Sequence, residues 1–325
     1  SEAKMDEFTE DLSIRLDTFG IPRKIRENSK NYASEVSQFI LAWADEDNYK
    51  ESRSMPKHPI SDEAGKWKPT PPAYMEGIEP HWREIRPMVI ESATQFRPEA
   101  PPSFELSEDS DFYKKTMEVY DAVNNANEEE RLIASFWDCN PYVMNQTGHV
   151  MIATKKITPG GHWMGIASLS ALKAGVDMSS SAEILTICAI ALFDGFISCW
   201  DEKYRSNLIR PETVINEHID ASWQPILQTP PFPEHTSGHS VISRAAAETL
   251  TSVLGDNFEF IDDVETKYGL PRREFNSFFE ASDEAAISRL YGGIHYRPAI
   301  DEGVKQGSAL GQYIIEEIDF RETQN

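Results

Sequence analysis

Two cations and an indole stand at helical spacing in the segment Trp200-Asp201-Glu202-Lys203-Tyr204-Arg205-Ser206-Asn207-Leu208-Ile209-Arg210-Pro211. Seven helical residues turn about 700°, so a helix running through Arg210 would return Lys203 and Arg210 to nearly one face, with Trp200 one turn earlier. Pro211 biases Arg210 away from helical geometry, which opens the last turn and lets the guanidinium fork point inward. Charged helix ends are ordinarily only solvated, so the segment by itself identifies nothing.

A second segment, Phe232-Pro233-Glu234-His235-Thr236-Ser237-Gly238-His239-Ser240, has an N-capping serine followed by glycine. A bare backbone at a helix start offers unpaired amides and the positive end of the dipole to an anion, and His239 in the first turn adds an acid-base group. His235 and His239 are spaced for a metal pair, but Gly238, the capping geometry and the lack of a third ligand nearby weigh against one. The third segment is Ser288-Arg289-Leu290-Tyr291-Gly292-Gly293-Ile294-His295-Tyr296-Arg297. An unbroken helix would put Arg289 and His295 on different faces, whereas a break at the two glycines lets both reach one pocket.

The elements that must position these groups read as helical. Asp and Glu total 54 against 31 Lys and Arg, a net charge of −23, which argues against a general nucleic-acid or anionic-membrane surface and makes any anion site local. The 40% hydrophobic content, with seven Trp, is that of a globular chain. Cys139, Cys188 and Cys199 have no C-x-x-C spacing, which reads as core residues rather than a disulfide framework or a zinc site. The longest apolar run, Ile184 to Phe193, stops at Asp194, short of the roughly 20 residues a bilayer span needs, so a soluble chain is expected.

Val36, Phe39, Ile40 and Trp43 share one helical face, and a proline-rich stretch from Met55 to Pro102 reads as an ordered wrap anchored by Trp67, Tyr74, Trp82 and Phe96. Helices are expected over Phe112–Asn124, Asn127–Phe136, Trp163–Ala174, Ser181–Asn207, Ser237–Leu254, Arg273–Leu290 and Asp301–Ile318. Strand-like alternation is scarce. The expected architecture is all-α, seven to ten helices in a single domain 1–325, with a catalytic core over about 128–318 and N-terminal helices and wrap over about 1–127.

Taken together, Lys203-x6-Arg210-Pro211, Ser237-Gly238-His239 and Ser288-Arg289-x5-His295 resemble the three-part signature of the superfamily that joins vanadium-dependent haloperoxidases with phosphatidic-acid-phosphatase-type acid phosphatases, and so imply its helical bundle. Trp200 and Phe232 resemble the pocket-wall aromatics of the haloperoxidase branch. The spacings, and Tyr142 in Asn140-Pro141-Tyr142, are most similar to the bacterial iodoperoxidases. The resemblance implies a vanadate cofactor, with no haem or flavin. His295 would be the metal ligand, and Lys203, Arg210, Ser237, Gly238 and Arg289 would bind the vanadate oxygens. His239 would take a proton from hydrogen peroxide, Lys203 would polarise the bound oxygen, and Trp200, Phe232 and Tyr142 would shape the halide approach. The implied reaction is oxidation of halide, iodide foremost, to hypohalous acid, in an exported or periplasmic protein; an organic acceptor and the oligomeric state are left open.

The same residues would also serve an acid phosphatase working through a phosphohistidine at His295, or a non-catalytic phosphate binder. Two positions depart from the signature. Thr236 replaces the proline before Ser-Gly-His, and Ala299 stands where an aspartate would fix the tautomer of His295. Asp301, Glu302 or a backbone carbonyl are the expected substitutes.

Overall fold

The computed structural model describes every residue except 1, 141–142, 148–149, 155, 319 and 321–325. The chain forms two compact units, residues 1–50 and 51–325. In the first, α1 (Glu2–Thr18) and α2 (Arg23–Asp45) meet at a turn where Gly20 takes a left-handed φ of 72°. The stripe of Val36, Phe39, Ile40 and Trp43 is helical as its spacing predicts, yet it is exposed, Phe39 at 73%. The short helix α3 (Tyr49–Ser52) follows.

In the second unit, the proline-rich stretch runs as irregular chain with one 3₁₀ turn at Trp82–Glu84. Trp67 is fully buried and donates its backbone N–H to Asn207 O at 2.9 Å, while Ile209 N–H returns to Gly65 O at 3.0 Å. Asp194, a buried carboxylate, accepts the amides of Met88, Val89 and Ile90 at 2.8, 2.8 and 3.0 Å, so three otherwise orphaned donors clamp the stretch. Tyr74, expected as an anchor, is 64% exposed.

The remaining helices are α4 (Asp111–Asn124), α5 (Glu128–Phe136), α6 (Pro159–Ala174), α7 (Met178–Ser206), α8 (Pro211–His218), α9 (Gly238–Leu254), α10 (Phe278–Tyr291) and α11 (Arg297–Glu317). Their ends follow the capping chemistry of the sequence: Ser110, Asn127, Thr158, Asp177, Ser237 and Ser277 each accept a first-turn amide. By length and composition α7 could cross a membrane, but it packs against α6, α9 and α11 and buries Asp194, Asp201, Glu202 and Lys203 inside the protein. Phe136, Trp137, Trp163, Ile166, Ile242, Leu250 and Phe278 form the main core. Each such fully buried apolar side chain contributes roughly 1.5–3 kcal/mol.

Two hairpin-like sheets interrupt the helices. β1 (Val143–Thr147) pairs antiparallel with β2 (Val150–Thr154), and β3 (Phe260–Asp262) with β4 (Arg273–Phe275). The helix expected from Arg273 therefore begins only at Phe278: the alternation of buried Phe275 with exposed Glu274 pairs Phe275 with buried Phe260, and Ser277 then caps α10. A strand of three residues is too short for its period to be read. α11 likewise starts four residues before its expected Asp301, because Pro298 fits the first turn.

The contact that fixes the site is between α9 and α11. Cβ atoms on Gly303, Gly307 and Gly311 would stand 2.8 Å from Ser240 Cβ, 2.2 Å from Val241 O and 2.7 Å from Glu248 Cβ. Backbones touch along this stripe, and Ser237 N–H donates to Ala299 O at 2.9 Å, which locks the start of α9 to α11.

Candidate active site

Lys203 lies in the last turn of α7, which stops at Asn207 in a left-handed conformation, φ 50°. Arg210 is not a continuation of that helix: it is the extended N-cap residue of α8, with φ −80° and ψ 150°. The two cations thus converge across the end of α7 at Asn207, with Pro211 starting a new helix after Arg210, rather than by helical periodicity. Both are fully buried, and both lie over Phe232, Lys203 Nζ and Arg210 Cζ each 5.1 Å from its ring centroid. Trp200 stands 4.9 Å from Phe232, centroid to centroid, and 5.8 Å from Lys203 Nζ, so the two expected wall aromatics do flank the cations.

Ser237 caps α9, its hydroxyl oxygen accepting Ser240 N–H at 3.3 Å while its own proton stays available to donate. The first-turn amides of Gly238 and His239 have no acceptor within the helix. A Cβ on Gly238 would meet Trp200 only at an ordinary 3.6 Å. The protein's own packing therefore does not demand glycine there, and the bare backbone leaves room for an anion to approach the amides.

His295 follows the turn at Gly292 and Gly293, the latter with φ 78°. Its Nδ1 lies 2.8 Å from Glu234 Oε1, and the same oxygen accepts Tyr296 N–H at 2.9 Å. Glu234 is thus the carboxylate missing at Ala299, and none of the three expected substitutes takes its place: Glu302 instead accepts Glu99 N–H and Lys305 Nζ. A carboxylate ordinarily accepts, so Nδ1 carries the proton and Nε2 keeps its lone pair, which receives Arg210 Nη1–H at 3.2 Å. Burial, then Arg210, Lys203 and Arg289, push His295 well below the usual imidazole value and keep it uncharged.

Arg289 donates from Nη2 to Trp137 O at 2.7 Å, and His239 hydrogen-bonds the backbone of the same residue. Because His239 Nε2 has no partner, that bond is made from Nδ1, which leaves Nε2 as a buried basic lone pair. Burial and then Arg289 hold this histidine too well below the usual value.

Burial lowers Lys203 to about 8 and both Arg210 and Arg289 to about 10. Lys203 and Arg210 face the buried carboxylate of Glu234, which desolvation raises to about 7 against their pull, while the carboxylate nearest in effect to Arg289 is Asp138. An oxyanion would supply counter-charge and partners for Arg210 Nη2 and His239 Nε2, both buried without a hydrogen bond. The site fits vanadate on those grounds, and a neutral imidazole nitrogen fits its metal.

Lys203 differs from its expected role in one respect. Its ammonium has three N–H groups, and Nζ contacts Pro233 O at 3.3 Å, Glu234 O at 3.0 Å and Thr236 O, so here it also braces the 233–236 turn. His235 faces Glu99 O at 3.0 Å and pairs with no metal group. Tyr142 lies outside the described residues. Glu234 sits inside a segment singled out for its serine and histidine, but among 54 acidic residues nothing in its type marked it.

A helical bundle that buries two uncharged histidines among three cations has the chemistry of a site for an oxyanion. Residues 183–321 match the family described as "VCPO second helical-bundle domain". The crystal structure of the first bacterial vanadium-dependent iodoperoxidase is 52% identical, the match covering 100% of this chain and 77% of that one at a TM-score of 0.92. Holo-type and apo-type structures of bacterial vanadium-dependent chloroperoxidase share the fold at TM-scores of 0.66 and 0.63. They are 14% and 15% identical over 85% and 81% of this chain, and 69% and 65% of theirs. No curated protein sequence matches the chain. The chain belongs to the vanadium-dependent haloperoxidase family.

Proposed function

We propose that this protein oxidises halide, iodide foremost, with hydrogen peroxide at a vanadate held on Nε2 of His295. When bound, vanadate supplies a Lewis acid that activates peroxide for attack by halide without itself changing oxidation state. Lys203, Arg210 and Arg289 would hold its oxygens with three charges in a site where burial strengthens each of them, and the Ser237 hydroxyl and Gly238 N–H would add neutral donors. His239 Nε2 receives the proton that peroxide must lose. Trp200 and Phe232 line the side of the cations from which halide would come.

The observation that carries this reading is the lone pair of His295 Nε2, on an imidazole that Glu234 orients through Nδ1 and that burial and the neighbouring cations keep uncharged. The 52% identity with an iodoperoxidase supports iodide in particular. The residues also have the chemistry for phosphoryl transfer, but no distance or comparison favours it. The test is peroxide-dependent iodide oxidation by protein with and without orthovanadate, beside hydrolysis of a generic phosphate ester without vanadate. Iodide oxidation that requires vanadate is the expected result; ester hydrolysis with no vanadate-dependent oxidation would overturn the reading.

A further inference from the structure

Four side chains that the halide reaction does not use converge at a second point, around the imidazole of His162 in the first turn of α6. Cys139 comes from the chain after α5, Asp262 from the end of β3, and Glu265 from the 3₁₀ turn Val264–Tyr268. All four are buried, none more than 1% exposed. Cys139 Sγ, His162 Nδ1 and Glu265 Oε1 lie within 4.8 Å of one another, with Sγ 3.4 Å and Oε1 3.5 Å from Nδ1. Zinc–ligand bonds of about 2.0–2.3 Å at tetrahedral angles put donor atoms about 3.3–3.6 Å apart, so these two separations are those of donors around one ion.

Behind the ring, His162 Nε2 is 2.7 Å from Asp262 Oδ2. That is the carboxylate–imidazole pairing which, at zinc sites, fixes the tautomer and turns the other nitrogen's lone pair to the metal. Glu265 adds a second sign: its Oε1 accepts no hydrogen bond although the residue is 1% exposed, and its contact with His162 Nδ1 at 3.5 Å leaves room for a cation between the two atoms.

We propose that Cys139, His162 and Glu265 form a binding site for a zinc-type divalent cation, with Asp262 orienting the histidine and a fourth coordination position open. One thiolate, one imidazole and one carboxylate make a borderline donor set that suits zinc. Binding forms the metal–sulfur and metal–nitrogen bonds with release of the thiol proton and of any second imidazole proton. The lack of C-x-x-C spacing excludes zinc sites built on cysteine pairs but not one with a single cysteine.

The test is titration of the chelator-treated full chain with cobalt(II), followed to equilibrium by absorption and by metal content. One cobalt per chain with thiolate-to-cobalt absorption, displaced by zinc and lost in Cys139→Ser but kept in Cys188→Ser, is the expected result. Absence of that absorption in folded wild-type protein, or its persistence in Cys139→Ser, would overturn the proposal. Should Cys139→Ser not fold, Glu265→Gln decides: cobalt affinity about tenfold weaker or more supports the site, and unchanged affinity overturns it.

Discussion

His295 Nδ1 and Glu234 Oε1 face each other at 2.8 Å, so the histidine is held from behind by a carboxylate that the Ser-Gly-His segment itself contributes. The pairing turns Nε2 toward Arg210 and keeps its lone pair there. Removing such a support from a metal-ligating histidine typically weakens the metal about 10–100-fold. Glu234→Gln is expected to lose vanadate affinity within that range, and Glu234→Ala at least as much, measured by equilibrium dialysis against vanadate. Unchanged affinity in both would deny Glu234 its role.

The two histidines differ in what their free nitrogens face, and their variants separate accordingly. His295→Ala is expected to lose vanadate retention altogether. His239→Ala is expected to retain vanadate and lose turnover by about 10²–10⁴-fold, the usual worth of a positioned acid-base group. Equal retention of vanadate by the two variants is the contrary outcome.

Lys203 gives the site a pH dependence. Burial lowers it to about 8, so the unloaded enzyme loses this charge as pH rises through 8, and vanadate capture should weaken across that window. Stability moves the opposite way. Between about 8 and the ordinary 10.5 the unfolded chain holds a proton on this lysine that the folded chain lacks, so this group makes stability rise with pH there. Capture kinetics from pH 6.5 to 9.5, compared with Lys203→Arg, check the first effect, because the ionisation of the anion itself is common to both proteins. The inflection near 8 should be absent from the arginine variant; identical profiles would remove Lys203 from anion capture.

The α9–α11 contact predicts a stability effect outside the catalytic groups. Gly307→Ala places a methyl 2.2 Å from Val241 O and 3.0 Å from Arg244 Cβ, so the helices must part. Overpacking of this kind costs about 1–3 kcal/mol. Urea unfolding should show a lower midpoint in the variant, and an unaltered midpoint would mean that the helices are not held this closely.

The three chemical segments and most helix boundaries were legible because caps, prolines and glycines act locally. Ser237, Asn127 and Gly255 mark ends that the structure reproduces. Glu234 was not legible: its partner is a histidine 61 residues away whose approach depends on tertiary packing, and a carboxylate has no local signature in so acidic a chain. The β3–β4 pair was missed for a related reason, since its three-residue strands depend on Phe260 meeting Phe275. The stripe of α2 shows the converse, a period that correctly forecasts a helix but not its burial.

Crystals of the protein grown with vanadate test the central claim most directly. The expected result is density bonded to Nε2 of His295, with Arg210, Arg289 and the start of α9 around it and Glu234 still on Nδ1. Vanadate bound elsewhere, or an imidazole of His295 free of any ligand at saturating vanadate, would contradict the account.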